Sequence, residues 1–355
     1  MNRKKFVKQL CKLVSIQSAS YDTKLMMRHI KDVVQSIAGC TISYDKYGNM
    51  YVVKGKGNYP TMVCHTDTVH AIEKAKIIPI EVEGNIVAFN STTMEQHGTG
   101  GDDKVGIHIT IQLLKTQPNM KAVFFLDEEV GCVGSSKANM DFFDDSIFVL
   151  QCDRRGYSDF VNKISGTKLY EKNFQKEIKD ILKKYKRTET NGGMTDVLEI
   201  AYQTKLSVAN MSCGYYNPHT EHEYINIQDV INTFNLCQDI FNQVKTIHKV
   251  KTDRFQSYNN YNYGYGYDYA SEWMYTKSKR KTYQTLQDQA IELEIQKICG
   301  HGCDLKNGYC ASCMMTTDEM NEFYTIENDE SKYNTMEVPL QLGPANTKRF
   351  DKEGR

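Results

Sequence analysis

Lys121-Ala122-Val123-Phe124-Phe125-Leu126, running directly into Asp127-Glu128-Glu129, is the stretch that decides how this chain reads. A short, mostly apolar run of this kind fits a strand covered on both faces, as in the centre of a parallel sheet. The carboxylates at its end repel one another and are costly where solvent is scarce, unless a cation or a shared proton offsets them. Two other short apolar runs stop in the same manner: Thr61 to Cys64 ends in His65-Thr66-Asp67, and Ser146 to Gln151 ends in Cys152-Asp153. One acid at the end of a strand is ordinary turn chemistry. Three strands in succession, each ending on groups that can bind metal, fit a site better, because ligands of open α/β sheets lie beyond the carboxyl ends of the strands.

Outward from these runs the pattern alternates between helix and strand. Phe6, Leu10, Leu13 and Val14, then Leu25, Met26, Ile30, Val33, Val34 and Ile37, recur at helical spacing, with Ser20 and Asp22 as candidate caps of the second helix. Thr41 to Tyr44 and Met50 to Val53 flank Tyr47-Gly48-Asn49 as a hairpin. Val105 to Leu114 reads as a helix, and Asn226 to Val250 as a long amphipathic helix closing the main domain. The fold class is therefore α/β: a three-layer sandwich with a mixed, centrally parallel sheet, plus a small Cys-rich C-terminal segment.

The domain reading follows composition. Residues 1–250 form the main domain and 251–284 a Tyr/Asn-rich low-complexity linker. Residues 285–315 hold a helix (Leu286 to Ile298) and a cysteine motif, and 316–355 form a polar tail expected to be disordered. The 44 basic and 44 acidic residues cancel, so no global field argues for nucleic acid or an anionic membrane as partner. Met1 to Val14 lacks the apolar run of a signal peptide, and no stretch approaches the ~20 apolar residues of a membrane span. Seven of the 11 cysteines are scattered through largely apolar segments, which fits a reducing, cytoplasmic setting.

Several segments carry candidate chemistry. His65 and Asp67, two apart on a strand, can share a face, with the carboxylate orienting the imidazole. In Gly100-Gly101-Asp102-Asp103-Lys104-Val105-Gly106 an acid precedes a helix; one of the two can cap it while the other binds metal. Asn217-Pro218-His219-Thr220-Glu221-His222-Glu223 supplies imidazoles on a loop, of which one suffices as a ligand.

The order His, Asp, Glu-Glu, Asp, His resembles the co-catalytic zinc exopeptidases and amidohydrolases that include peptidase T, aminoacylase and the glutamate carboxypeptidases. The resemblance rests on His65-Thr66-Asp67-Thr68-Val69, Gly101-Asp102-Asp103-Lys104-Val105-Gly106, Asp127-Glu128-Glu129-Val130-Gly131, and His219-Thr220 with Glu223 after it. Ile16-Gln17-Ser18-Ala19-Ser20 also looks like the family's early Ser-x-Ser segment, and the likeness covers about Met1 to Val250. It implies two active-site zinc ions, or manganese or cobalt in their place. Their ligands would be His65, Asp102 as the bridge, Glu129, Asp153 and His219. Glu128 would act as general base, Asp67 would orient His65, Asp103 would position the backbone, and Gly193-Met194-Thr195-Asp196 would support the site. The implied activity is hydrolysis of a peptide or amide bond in a small peptide, aminopeptidase-like. An N-acyl amino acid deacylase or carboxypeptidase is the alternative, and a catalytically idle metal-binding interaction protein a third reading.

Three departures matter. Most relatives of peptidase T and aminoacylase carry a lid and dimerisation domain before the last histidine, but here only 66 positions separate Asp153 from His219, with Lys168 to Lys186 reading as one basic helix. The lid is expected to be absent, which leaves Tyr215 or Tyr216 as a candidate oxyanion donor. Arg154-Arg155 after Asp153 could pair with a substrate carboxylate, or serve as ordinary surface arginines. Finally, Cys299, Cys303, Cys310 and Cys313, with His301 as an alternative, have spacing that can close a structural zinc site, and the tail could meet a protein partner.

Overall fold

The computed structural model describes residues 2–251 and three two-residue strands beyond them. In chain order the elements are α1 (Arg3–Val14), α2 (Lys24–Gln35), β1 (Cys40–Tyr44), β2 (Met50–Lys54), β3 (Tyr59–His65), β4 (Ile77–Val82), β5 (Asn85–Asn90), β6 (Gln96–His97), α3 (Gly101–Thr116) and β7 (Met120–Phe125). They continue with α4 (Val133–Ser136), β8 (Ser146–Gln151), β9 (Asp159–Ile164), β10 (Thr167–Lys168), α5 (Lys172–Lys184), β11 (Thr188–Gly192), α6 (Asp196–Gln203), β12 (Val208–Met211), β13 (Tyr215–Tyr216), β14 (Tyr224–Asn226) and α7 (Ile227–Gln243). The further strands β15 (Leu305–Lys306), β16 (Tyr309–Cys310) and β17 (Met315–Thr316) pair antiparallel. The Tyr-rich linker, the helix at Leu286 to Ile298 and the polar tail otherwise lie outside the described residues, as do Cys299, Cys303, Cys313 and the side chain of Cys310.

The large sheet runs β1-β2-β7-β3-β8-β12-β9-β10, with β11 beside β9. Its centre, β7-β3-β8-β12, is parallel, and antiparallel pairs flank it. Every residue of β3, β7 and β8 is buried, so both faces are covered and the three-layer α/β reading holds. Strand β3 sits between β7 and β8, so the ends carrying His65, Asp127 and Asp153 lie side by side. Helix α3 packs on β3 between α1 and α7, and its residues Val105 to Leu114 are all buried, the polar His108, Thr110 and Gln112 included. A smaller antiparallel sheet, β13-β14-β5-β4 with β6 on β5, was not legible in the sequence; its β13–β14 hairpin carries the loop with His219.

Local chemistry accounts for the boundaries. The hairpin turn is held by Asp45, whose Oδ1 accepts the amides of Tyr47, Gly48 and Asn49. Thr23, rather than Ser20 or Asp22, occupies the N-cap position of α2; Ser20 instead donates to Asp67 Oδ2 at 2.7 Å. Asn226 caps α7 by accepting the Asp229 amide. That helix stops at Gln243, short of Val250, because Val244 turns extended and the amide of buried Val250 donates to the Lys205 carbonyl. Likewise Lys168 to Lys186 is not one helix: Thr167–Lys168 pair with β9, and α5 spans only Lys172–Lys184. The four strands between Asp159 and Met211 all join the large sheet, so the interval that could have held a lid extends the sheet edge instead.

Candidate metal centre

Asp102 is the middle of the site. Its Oδ1 lies 3.1 Å from His65 Nε2, and its Oδ2 lies 3.4 Å from His219 Nε2. His65 Nε2 is also 3.6 Å from Asp153 Oδ1, and His219 Nε2 is 3.3 Å from Glu129 Oε2. The five residues read from sequence as ligands therefore converge as two pairs, His65 with Asp153 and His219 with Glu129, joined through the two oxygens of one carboxylate. His222 faces Gln96 Oε1 at 3.1 Å and takes no part.

The local supports explain how each group is aimed. The peptide between Asp102 and Asp103 is cis. Asp103 Oδ1 accepts the Gly106 amide at 2.9 Å, so Asp103 caps the regular part of α3 and frees Asp102 to face the histidines. Although Asp103 lies within 4.8 Å of His65 and Asp153, its other oxygen accepts the His65 amide. Its bonds make it a backbone-positioning residue.

Asp67 acts differently from the simplest expectation. His65 Nδ1 sits closer to the Asp67 carbonyl (3.0 Å) than to the Asp67 carboxylate (3.4 Å). The carboxylate instead takes the amides of Glu128 and Glu129 at 3.0 and 3.2 Å, together with the Ser20 hydroxyl. It thus fixes the turn that presents both glutamates.

Asp153 is gripped by the segment at Thr195: the Thr195 hydroxyl donates to its Oδ2 at 2.7 Å and Gln151 Nε2 at 3.0 Å. Asn210 accepts the Asp153 amide and donates to its carbonyl. Of the two tyrosines weighed as oxyanion donors, Tyr215 reaches the site, its hydroxyl 3.3 Å from Asp153 Oδ1. Tyr216 does not, because its hydroxyl donates to Asp229. Glu223, fully buried, accepts the amides of Gly100 and Asp102 at 2.6 and 3.2 Å and faces His70 Nε2. Ser20, Gln151 and Glu223 lay inside segments noticed in the sequence, but Asn210 did not, because a polar residue in a short strand carries no mark of its partner.

The electrostatics call for cations. Burial pushes the Asp153 and Asp196 carboxyls up to about 7, with the Asp102 charge adding to the first. Glu128 is pushed well above the usual range by burial and then by Asp153, Asp196 and Glu129, against a lowering from His65. Glu129 is raised by burial too. Conversely, Asp102 and Glu129 push His219 up to about 10. Glu129 Oε1 and Asp196 Oδ1 are buried with no hydrogen-bond partner among the described residues. An orphaned carboxylate oxygen beside two imidazoles and several like charges is the donor set that divalent cations satisfy.

No protein-family model and no curated protein matches the sequence. Among solved structures, aminopeptidase PepT from Bacillus cereus aligns with a TM-score of 0.58 at 15% identity, covering 69% of this chain and 99% of that one. A tripeptidase from Staphylococcus aureus aligns at 0.54 with 12% identity, covering 68% and 100%. An aminopeptidase from the archaeon Desulfurococcus kamchatkensis aligns at 0.53 with 13% identity, covering 69% and 96%. Identities this low speak for the fold alone, and the described part of this chain has the α/β fold of these peptidases, the group that its own motifs resemble.

Proposed function

We propose that this chain is a metal-dependent hydrolase of peptide bonds in small peptides, with two zinc ions, or manganese or cobalt, held by His65, Asp153, Asp102, Glu129 and His219. The observation that carries the reading is the division of Asp102's two oxygens between two His–carboxylate pairs. Divalent cations bound there supply carbonyl polarisation and lower the pKa of a water to about 7.

The chain's own residues do the rest. Glu128 has only the Cys132 thiol as a side-chain donor among the described residues, at 3.5 Å from Oε1. Its raised proton affinity suits a group that takes a proton from water and returns it to the leaving amine. Asp67 sets the position of that carboxylate through the Glu128 amide. Tyr215, hydroxyl toward Asp153, is the described phenol able to donate to developing negative charge.

The test is hydrolysis of a panel of di- and tripeptides and acyl-amino acids by the metal-loaded protein and by Glu128→Gln, with metal content measured on both. We expect activity that a chelator removes, and a loss of roughly 100-fold or more in Glu128→Gln with metal retained. Two bound metals with no hydrolysis by the wild type would leave a metal-binding protein without catalysis and overturn the proposal.

A further inference from the structure

Helix α5 carries a stripe of positive charge that the metal centre does not use. Lys172, Lys176, Lys179 and Lys183 recur at spacings of four, three and four residues, which puts them on one face over about 16 Å of helix. With Lys186 they line a groove of about 810 Å³ that Leu182 also lines. All five lysines are exposed, and none has an ion-pair partner among the described residues. The groove's other charges do not cancel them. Arg187 is buried, its guanidinium donating to the carbonyls of Tyr157 and Ser212 and to the Thr233 hydroxyl. Glu189, the one carboxylate, accepts the Tyr170 hydroxyl at 2.7 Å and the Gln175 side-chain amide. Five lysines against one carboxylate leave the groove strongly positive even before Arg187 is counted, a field that attracts an anionic partner.

The chain itself leaves the described domain along this helix. Gln243 Nε2 donates to the Glu177 carbonyl, and His248 Nε2 lies 2.5 Å from Glu177 Oε1 with its ring against Phe174. The domain's described residues end at Lys251. Further along, Asp318, Glu319, Glu322, Glu327, Asp329, Glu330 and Glu337 stand against a single base, Lys332. The 67 positions from Lys251 to Asp318, at up to ~3.3–3.6 Å each, can span many times the length of the stripe. Charge balance also points inward. Basic and acidic residues number 44 each over the whole chain, so the acid excess of this stretch is matched by base excess elsewhere on the same molecule.

We infer that the lysine face of α5 is a docking surface for this chain's own acidic segment between Asp318 and Glu337. Exposed ion pairs are individually weak, but several acting together within one chain hold where one would not. The surface lies outside the metal centre, so the inference does not depend on the peptidase reading.

The experiment is zero-length carbodiimide cross-linking of the full-length protein, digested and mapped by mass spectrometry. At about 0.01 M salt we expect links from the α5 lysines to acids between Asp318 and Glu337, on bands that run as single chains. Raising the salt to about 1 M shortens the screening length from ~30 to ~3 Å and should cut their yield roughly fivefold or more. Lys176→Glu/Lys179→Glu/Lys183→Glu should lose the links, and so should Glu322→Lys/Glu327→Lys/Glu330→Lys. Combining the two sets should restore linkage between the same positions, with amine and carboxylate exchanged. The replaced lysines are exposed, so circular dichroism of the described domain should be unchanged. Links confined to Lys277, Lys279 or Lys281, links only on bands of two chains, a yield that salt leaves unchanged, or no restoration in the combined variant overturns the docking. Absence of links in wild type, with retention on heparin that the lysine replacements abolish, gives the stripe to a foreign polyanion and overturns it as well.

Discussion

Replacing Asp67 with asparagine removes one charge and changes no volume, which makes it a sharp probe of the turn that presents the two glutamates. Asp67 is fully buried and accepts three hydrogen bonds, two from the amides of Glu128 and Glu129 and one from Ser20. Asparagine keeps one accepting oxygen, so its NH₂ must face at least one donor, and that buried amide or hydroxyl loses its partner. Bonds to a charged group contribute about 1.5–3 kcal/mol each, and stranding a buried donor costs about 1–3 kcal/mol. We therefore expect Asp67→Asn to lose ~2–4 kcal/mol of folding stability. Ser20→Ala, which strands no backbone group, should lose only about 1.5 kcal/mol. Because the glutamate turn is displaced, metal affinity should fall by roughly 10- to 100-fold, the usual effect of disturbing groups that orient ligands.

Urea unfolding followed by circular dichroism gives the stability difference, and metal retained after dialysis gives the affinity. The pH dependence adds a sign. Against its burial, His65, Ser20 and the Glu128 amide hold the Asp67 carboxyl below the usual carboxylate range. Its stabilising contribution is therefore fully present above the unfolded value of about 3.9 and is lost as pH falls through the lower folded value. The wild-type advantage over Asp67→Asn should shrink across that acid window. A variant within about 0.5 kcal/mol of wild type at pH 7, with unchanged metal retention, would refute the assignment of Asp67 as the anchor of the turn.

Two further outcomes are expected. His108, buried edge-on against Phe6 with its Nε2 unpartnered among the described residues, is held neutral by burial, its pKa pushed down to about 3. Below pH ~6.5 the unfolded chain takes up a proton that the folded chain refuses, so stability should fall from pH 6.5 toward 3. His108→Leu should flatten that part of the curve, as read by unfolding midpoints across the range. Gly134 lies against the Leu126 carbonyl and 2.7 Å, at an added Cβ, from Asn49 Oδ1. Gly134→Ala should cost about 1–3 kcal/mol and lower the proposed peptide hydrolysis by shifting the strand end ahead of Glu128, measured by thermal unfolding and by kcat/KM.

Some of this was legible in residues alone. Val-Phe-Phe-Leu at Val123 to Leu126, and the runs ending at Cys64 and Gln151, are short and apolar enough to fit a sheet covered on both faces, and β7, β3 and β8 are its buried centre. The grouping of His65, Asp102, Glu129, Asp153 and His219 was implied by the resemblance of their motif order to the zinc exopeptidases, and the fold brings these five side chains together. The boundaries that failed did so for tertiary reasons. Ser20 looks like a cap but bonds Asp67, and α7 ends early because Val250 leaves the helix direction to meet Lys205.

What the sequence determined by itself was the class of the fold, since the apolar period is a local property, and, through the order of its motifs and the family they resemble, the candidate groups of the site. Only the tertiary structure decided that Asp103 caps while Asp102 faces both histidines, that Asp67 holds the glutamate turn, and that Glu223 secures the Asp102 amide from 121 residues away. A hydrogen bond joins two particular atoms across space, and the choice between chemically equal partners is made by where the folded backbone puts them.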